Sequence, residues 1–318
     1  MNRQQKQTEG KPDAQLTSFI KWAGGKGQLL PQFLPFFPTS LRGRGYIEPF
    51  LGSGAVFLFV IQNLNPRSCT LLDVNPDLIN TWQVVRDNVE ALITRLSVHK
   101  SQHNAPGITD EARKLYYYGV RAEETATPVE RAARFIYLNK TCFNGLHRQN
   151  SKGKFNVPMG NYREPRIFDA SHLRNISRLL AHVTIESCSF QECEAHIADG
   201  DFAYFDPPYE PLSRTSNFTS YAKDAFTSTH QEQLRDLLQR LATRADWMLS
   251  NSTAPLIEAL YAPSHFHKHR VLASRLINSN SSGRGKIEEL LITSYPRTNG
   301  KLSLVTPKLQ KQNVEEFA

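Results

Sequence analysis

Residues 46–73, YIEPFLGSGAVFLFVIQNLNPRSCTLLD, decide the fold. Tyr46 to Phe50 reads as a short strand that runs into a glycine loop, Leu51-Gly52-Ser53-Gly54. An apolar helix follows over Ala55 to Asn63, and then a compact buried strand, Cys69 to Asp73, that ends on an acid. This is a βαβ unit, and its glycine loop lies between strand and helix, where backbone can approach a nucleotide-type ligand closely. The loop lacks the full dinucleotide fingerprint, so alone it also fits an ordinary glycine turn. Asp73, about 20 residues further on at a strand end, suits ribose hydroxyls and favours an adenosine-bearing ligand.

The same alternation resumes far along the chain. DFAYFD (201–206) and WMLS (247–250) are strand-like, a helix pattern over Thr229 to Ala242 separates them, and EELLITSY (288–295) reads as a late strand. Between the two α/β halves, residues from about 76 are helix-rich, and Thr141 to Pro165 form a polar, aromatic-dotted loop. The organisation expected is one Rossmann-like sheet domain built from 17–75 and 169–296, interrupted by a mostly helical insert at 76–168. Polar tails at 1–16 and 297–318 are expected to be loose.

Hydrophobic residues at 40% and charged ones at 21% describe an ordinary globular chain. No apolar run approaches the roughly 18 residues of a membrane span. The start, Met1 to Thr17, lacks a secretory h-region, so a cytoplasmic protein is expected. Four cysteines without a C-x-x-C pair predict neither a metal nor disulfides. The charge is unevenly spread. Ten of the 38 Lys and Arg fall between Arg131 and Arg178, against two of the 30 acids, so this window carries the whole net charge of +8. That suits a polyanion such as nucleic acid, and a solvated basic face equally.

Asp206-Pro207-Pro208-Tyr209 follows a strand and so stands at its carboxyl end. An exocyclic amine such as adenine N6 is a poor nucleophile because its lone pair is delocalised into the ring. Two acceptors binding its two N–H groups draw the nitrogen toward tetrahedral geometry. The Asp206 carboxylate offers one, and the Pro207 carbonyl, aimed by consecutive prolines, offers the other. Tyr209 supplies a flat face for an extruded base. The competing reading is a turn after a strand. In FIKWAGGK (19–26), Trp22 is placed to cover a cofactor and Lys26 to pair with a carboxylate, although residue types alone fit a surface loop. Phe143-Asn144-Gly145-Leu146-His147-Arg148-Gln149-Asn150 mixes bidentate base readers with apolar wedges, and the basic loop that follows carries Lys152 and Lys154. A plain hairpin accounts for the same residues.

Taken in order, KWAGGK (21–26), EPFLGSG (48–54), LLDVN (71–75), YLNKTCFNGLHRQNSKGKFNVPMGNY (137–162), YFDPPYEPLSRTSNFTSYAKDAFT (204–227), LSNS (249–252) and SSGRGKIEELLIT (281–293) make the chain resemble the Dam-type, α-group DNA adenine N6-methyltransferases that act on GATC. The resemblance spans about Thr17 to Pro296. It implies S-adenosylmethionine as cofactor, with contacts from Trp22, Lys26, Asp73 and Asp206 beside the Phe50, Gly52 and Gly54 loop. It implies Asp206, Pro207 and Tyr209 as the methyl-transfer site. Double-stranded DNA is the implied partner. Phe143 falls where a residue stacks into DNA, Asn144, Leu146, Arg148 and Pro158 at base-reading or orphan-base positions, and Lys21 where an outer guanine is met. Asn150, Lys152 and Lys154 complete the expected DNA-contacting set. His147 and Asn161 fall where relatives vary.

The reading that emerges is an α/β, Rossmann-like methyltransferase of adenine N6 in GATC, with a target-recognition insert. Two rivals stay open: a methyltransferase of a glutamine amide or of RNA, and a DNA-binding protein that has lost catalysis. Asp at the head of the tetrapeptide and the basic insert count against the first, and the intact Asp73, Asp206, Pro207 and Tyr209 against the second. A cognate restriction endonuclease, as a counterpart and not a physical partner, is left open.

Overall fold

The computed structural model describes residues 15–150, 153–212, 226–262, 265–274 and 286–297. Lys152, almost all of the tail at 1–16 and nearly all of the tail at 297–318 lie outside the described residues.

Five strands run parallel: β1 (Gly45–Glu48), β2 (Ser68–Asp73), β3 (Thr184–Ser187), β4 (Phe202–Phe205) and β5 (Asp246–Ser252). Two more, β6 (His267–Ser274) and β7 (Lys286–Thr293), pair with each other, and β7 pairs antiparallel with β5. The order across the sheet is β3-β2-β1-β4-β5-β7-β6. From β1 the chain winds outward through β2 to β3, then returns to place β4 on β1's other side, Tyr46 opposite Phe202 and Ile47 opposite Ala203. The order therefore reverses between β1 and β4. Loops leaving the carboxyl ends of strands diverge at such a point and open a crevice for ligands. This is the expected Rossmann-like sheet.

Successive strand residues feed two cores. Tyr46, Leu71, Tyr204, Met248 and Leu291 join one, while Ile47, Leu72, Phe205, Leu249 and Ile292 join the other. Both faces are covered, which is why the parallel strands read as continuous apolar runs and not as alternating ones. On the first face lie α1 (Leu30–Phe33), α2 (Ala55–Asn63), α3 (Pro76–Asp87), α4 (Val89–His103), α6 (Pro128–Thr141) and α7 (Ala170–Leu180). On the second lie α8 (Ser228–Leu241) and α9 (Pro255–Leu260).

Everything from Pro76 to Val183 is the crossover from β2 to β3. Its helices are cleanly started. Asn75 accepts from the backbone N of Asp77 and Leu78 at the head of α3, and Thr127 and Glu130 form a capping box on α6. Asn88 (φ −139°, ψ 37°) separates α3 from α4. The crossover is not a free-standing body. Tyr117 of α5 (Asp110–Ala122) and Tyr137 of α6 share one apolar cluster with the sheet residues Tyr46 and Leu71.

Candidate active site

The glycine loop leaves β1 at the reversal point. Gly54 is left-handed (φ 66°) and heads α2, and a Cβ there would stand 2.5 Å from Cζ2 of the buried Trp82. At Gly52 (φ 48°) a Cβ would stand 2.8 Å from Cδ1 of Trp22. Glycine is thus required at both places, once to seat the loop on Trp82 and once to let Trp22 close over it. Gly52 N donates to Asp73 Oδ2 at 3.1 Å, and Asn75 N donates to Oδ1 at 3.0 Å. Burial pushes the Asp73 carboxyl up, and these backbone donors hold it down. Trp22, Gly52 and Asp73 are therefore brought together. Phe50 turns to the second core instead, stacked on Phe190 at 5.8 Å.

Across the reversal point, β4 ends in Phe205 and delivers Asp206. Its Oδ1 pairs with Lys26 Nζ at 2.9 Å; the lysine side chain is 5% exposed and the carboxylate 20%. Apart from that ion pair, Oδ1 has no hydrogen-bond partner among the described residues. Burial drives the Asp206 carboxyl up to about 6 against the opposing pull of Lys26, and the nearby Glu289 carboxylate adds to the rise. The Lys26 ammonium also donates to Gly24 O at 2.6 Å and sits 4.7 Å from the centre of the Tyr209 ring.

The turn after Asp206 is tied down on all sides. Pro208 O accepts from Gln231 Nε2 of α8 at 3.0 Å. Glu210 N donates to Asn251 Oδ1 at 3.3 Å, and Glu210 O accepts from Ser252 Oγ at 2.6 Å. Asn251 and Gln231 are joined at 3.0 Å, and Tyr209 Oη donates to Glu289 Oε2 at 2.7 Å. Pro207 O, the carbonyl next in sequence to Asp206, has no hydrogen-bond partner among the described residues.

The loop after α6 is built differently. Phe143–Gly145 form a single tight turn with Asn144 left-handed (φ 55°), and Phe143 N donates to Pro158 O at 2.9 Å. Arg148 and Asn156 bond through backbone (3.0 Å) and through Nε to Oδ1 (2.8 Å), and Asn150 N reaches Lys154 O at 2.9 Å, so 148–150 and 154–156 pair antiparallel. Phe143, Asn144, Arg148, Asn150, Lys154 and Pro158 are all exposed on this loop. Leu146 is not; it packs against the first core.

The loop is joined to Lys21 and Trp22 by two links. Asn139 of α6 accepts from Lys21 N (2.8 Å) and donates to Lys21 O (2.7 Å) and Gly145 O (3.3 Å). His147, whose imidazole is pushed below its ordinary pKa by burial, stacks on Trp22 at 5.3 Å and meets Phe135 and Phe155. Lys21 itself reaches over the Tyr162 ring at 4.9 Å.

The positive window is less bare than its count suggests. Arg174 pairs with Glu90 and Lys154 with Glu124, both acids from outside it, and Arg134 is spent on the carbonyls of Val120 and Arg121.

Sequence reasoning missed several members of this site. Glu48 is buried at the end of β1 and accepts from Tyr46 Oη at 2.5 Å; burial holds its carboxyl well above the usual range. Its signal was an acid inside an otherwise apolar strand. Gln231, Asn251 and Glu289 gave none beyond polar residues in apolar surroundings.

The profile of the family described as D12 class N6 adenine-specific DNA methyltransferase matches residues 22–275. The chain is 41% identical over 288 residues to the type II methyltransferase M.MjaIII of Methanocaldococcus jannaschii, covering 87% of this chain and 98% of that one. It is 40% identical to the type II methyltransferase M1.LlaDCHI of Lactococcus lactis subsp. cremoris, over 88% and 96% of the two chains. With the DNA adenine methylase of Haemophilus influenzae it shares 35% identity, over 88% and 94%.

Proposed function

Because the chain belongs to the D12 class of N6 adenine-specific DNA methyltransferases, we propose that it methylates the adenine of GATC in duplex DNA, after turning that base out of the helix toward Asp206 and Tyr209. Transfer of a methyl group from S-adenosylmethionine to adenine N6 of DNA is the activity of that class. The target sequence, the extrusion of the base and the roles of individual residues are our addition.

The residues present fit the methyl donor. At the β1 and β4 ends stand Gly52, whose missing Cβ lets Trp22 close over the loop, and a fixed carboxylate, Asp73, for ribose hydroxyls. When bound, the donor supplies a sulfonium-activated methyl group, so the chain's own task is alignment.

One observation carries the reading. The Asp206 carboxylate and the Pro207 carbonyl, which has no partner among the described residues, come from successive residues at the carboxyl end of β4, and the carbonyls of Pro208 and Glu210 are already engaged. One acceptor takes each N6–H, and the nitrogen lone pair is released from the ring. Asp206, near 6, is ionised at neutral pH and can take up the proton that N6 sheds. Lys26 balances its charge, and Tyr209 offers the ring face not covered by that lysine.

In our reading residues 76–168 form the reader. Phe143 fills the gap left by the base, Asn144 and Pro158 lie against the orphan partner, and Arg148 reads a base edge in the major groove. Leu146 lends an apolar contact once the loop moves outward, Lys21 meets an outer guanine, and Asn150, Lys152 and Lys154 hold phosphates. The resemblance of 137–162 to GATC-acting enzymes and the exposure of this loop support it. The type II names of two relatives support a counterpart restriction endonuclease acting on the same DNA. Among the described residues, no helix is long and apolar enough to cross a membrane.

The test is to express the chain in a host that lacks adenine methylation and to map N6-methyladenine on its plasmid by long-read sequencing. Modification confined to GATC is expected. Modification at another motif would overturn the reading of the insert and leave the chemistry standing.

A further inference from the structure

The turn draws its hydrogen bonds from the strands and helix of the sheet domain, and one of these partners grips the phenol of Tyr209. Tyr209 Oη donates to Glu289 Oε2 at 2.7 Å. Glu289 stands on β7 directly opposite Ser252 of β5, and Ser252 Oγ holds the carbonyl of the next residue, Glu210, at 2.6 Å. Two neighbouring strands thus hold two successive residues of the turn, one through backbone and one through the phenol. The Tyr209 ring is also met on one side by Lys26 Nζ at 4.7 Å from its centre. A tyrosine ring turns about two bonds. With its tip tethered and one side occupied, a single plane is left for a stacking partner.

We propose that Glu289 is a positioning residue for methyl transfer, fixing the plane of the Tyr209 ring on which the extruded adenine stacks. The inference rests on the stacking role given to Tyr209 above. The same carboxylate faces Asp206 and helps to hold that carboxyl up, so its removal leaves a second trace in the pH profile.

The experiment is a double-mutant cycle on the full-length enzyme with Glu289→Ala and Tyr209→Phe, joined by Glu289→Gln and Tyr209→Ala, reading kcat, KM for DNA and for S-adenosylmethionine, and thermal midpoint. Glu289→Ala is expected to lower kcat roughly 10-fold or more, the scale of one charge-assisted hydrogen bond, with both KM values little changed. Glu289→Gln, whose amide oxygen still accepts from the phenol, should recover most of that loss. Tyr209→Phe should fall to the level of Glu289→Ala, and the double variant should fall no further. In both Glu289 variants the acid limb of kcat/KM should move to lower pH. Where Glu289→Ala does not fold, Glu289→Met, close in length and without an acceptor, runs the same cycle. Multiplying losses in the double variant would overturn the proposal, as would wild-type kcat in Glu289→Ala beside an inactive Tyr209→Ala. Wild-type kcat in Tyr209→Ala would instead sink the stacking role itself, and Glu289's with it.

Discussion

The turn at 206–210 and the loop at 143–158 are both expected to touch the same adenine's surroundings, yet they are built on opposite plans. Side chains from α8, β5 and β7 engage the turn, and its reactive carboxylate is one-fifth exposed. The loop bonds mainly to itself across the Arg148–Asn156 pair, with Phe143 about half exposed (52%). Chemistry on a poor nucleophile needs acceptors that are already in place before the base arrives, because reorganisation at the moment of reaction adds to the barrier. Reading DNA needs side chains that project and adjust, because duplex contacts complete the geometry. The difference matches the roles proposed for the two regions: acceptors on strand ends, readers on an exposed loop.

The comparison breaks most readily at Asp206. Asp206→Ala should lower kcat by roughly 10²–10⁴-fold while leaving the duplex Kd within a few-fold, measured by single-turnover methylation and by anisotropy. A large loss of DNA affinity would mean that the two regions are not separate in function. The pH profile sharpens the same point. Asp206 must be ionised to accept, so kcat/KM should fall as pH drops through about 6. Lys26→Met removes the cation that holds this carboxyl down, so its acid limb should move above 6; an unmoved limb would detach Asp206 from the profile.

Gly54→Ala probes the rigid side by stability. A Cβ 2.5 Å from the Trp82 ring at a left-handed position should cost roughly 2–4 kcal/mol, read as a thermal midpoint several degrees lower. Lys154→Ala is the smallest expected change. It should weaken binding to all DNA alike and make the salt slope shallower by about one unit.

The rigid region was the more legible in sequence. The strand before the glycine loop, the strand before Asp206 and α2 lie where the apolar runs and turn residues put them. Continuous apolar strands with an acid or D-P-P-Y at their ends have few alternative readings when both faces are covered. β3 and β6 were not legible. β3 buries one residue of four, and β6, HKHRVLAS on the sheet's edge, is charged, as an exposed edge tends to be. Partners brought from far along the chain were equally hidden. Asp206 could be named from its tetrapeptide, but Glu289 lies 80 residues beyond Tyr209 and Gln231 comes from a helix, so only the fold joins them. The residues proposed as readers were legible as residue types, but the inward turn of Leu146 and the stacking of His147 on Trp22 depend on packing that no local pattern encodes.

The division of labour is tested most directly by Arg148→Ala, comparing its kcat/KM with that of wild type on GATC and on every duplex that differs from it by one base pair. The account predicts that discrimination collapses by about 1–3 kcal/mol at one base pair and stays near wild type at the others, with kcat on GATC largely kept. Equal losses on all duplexes would contradict it, because Arg148 would then hold DNA without reading it.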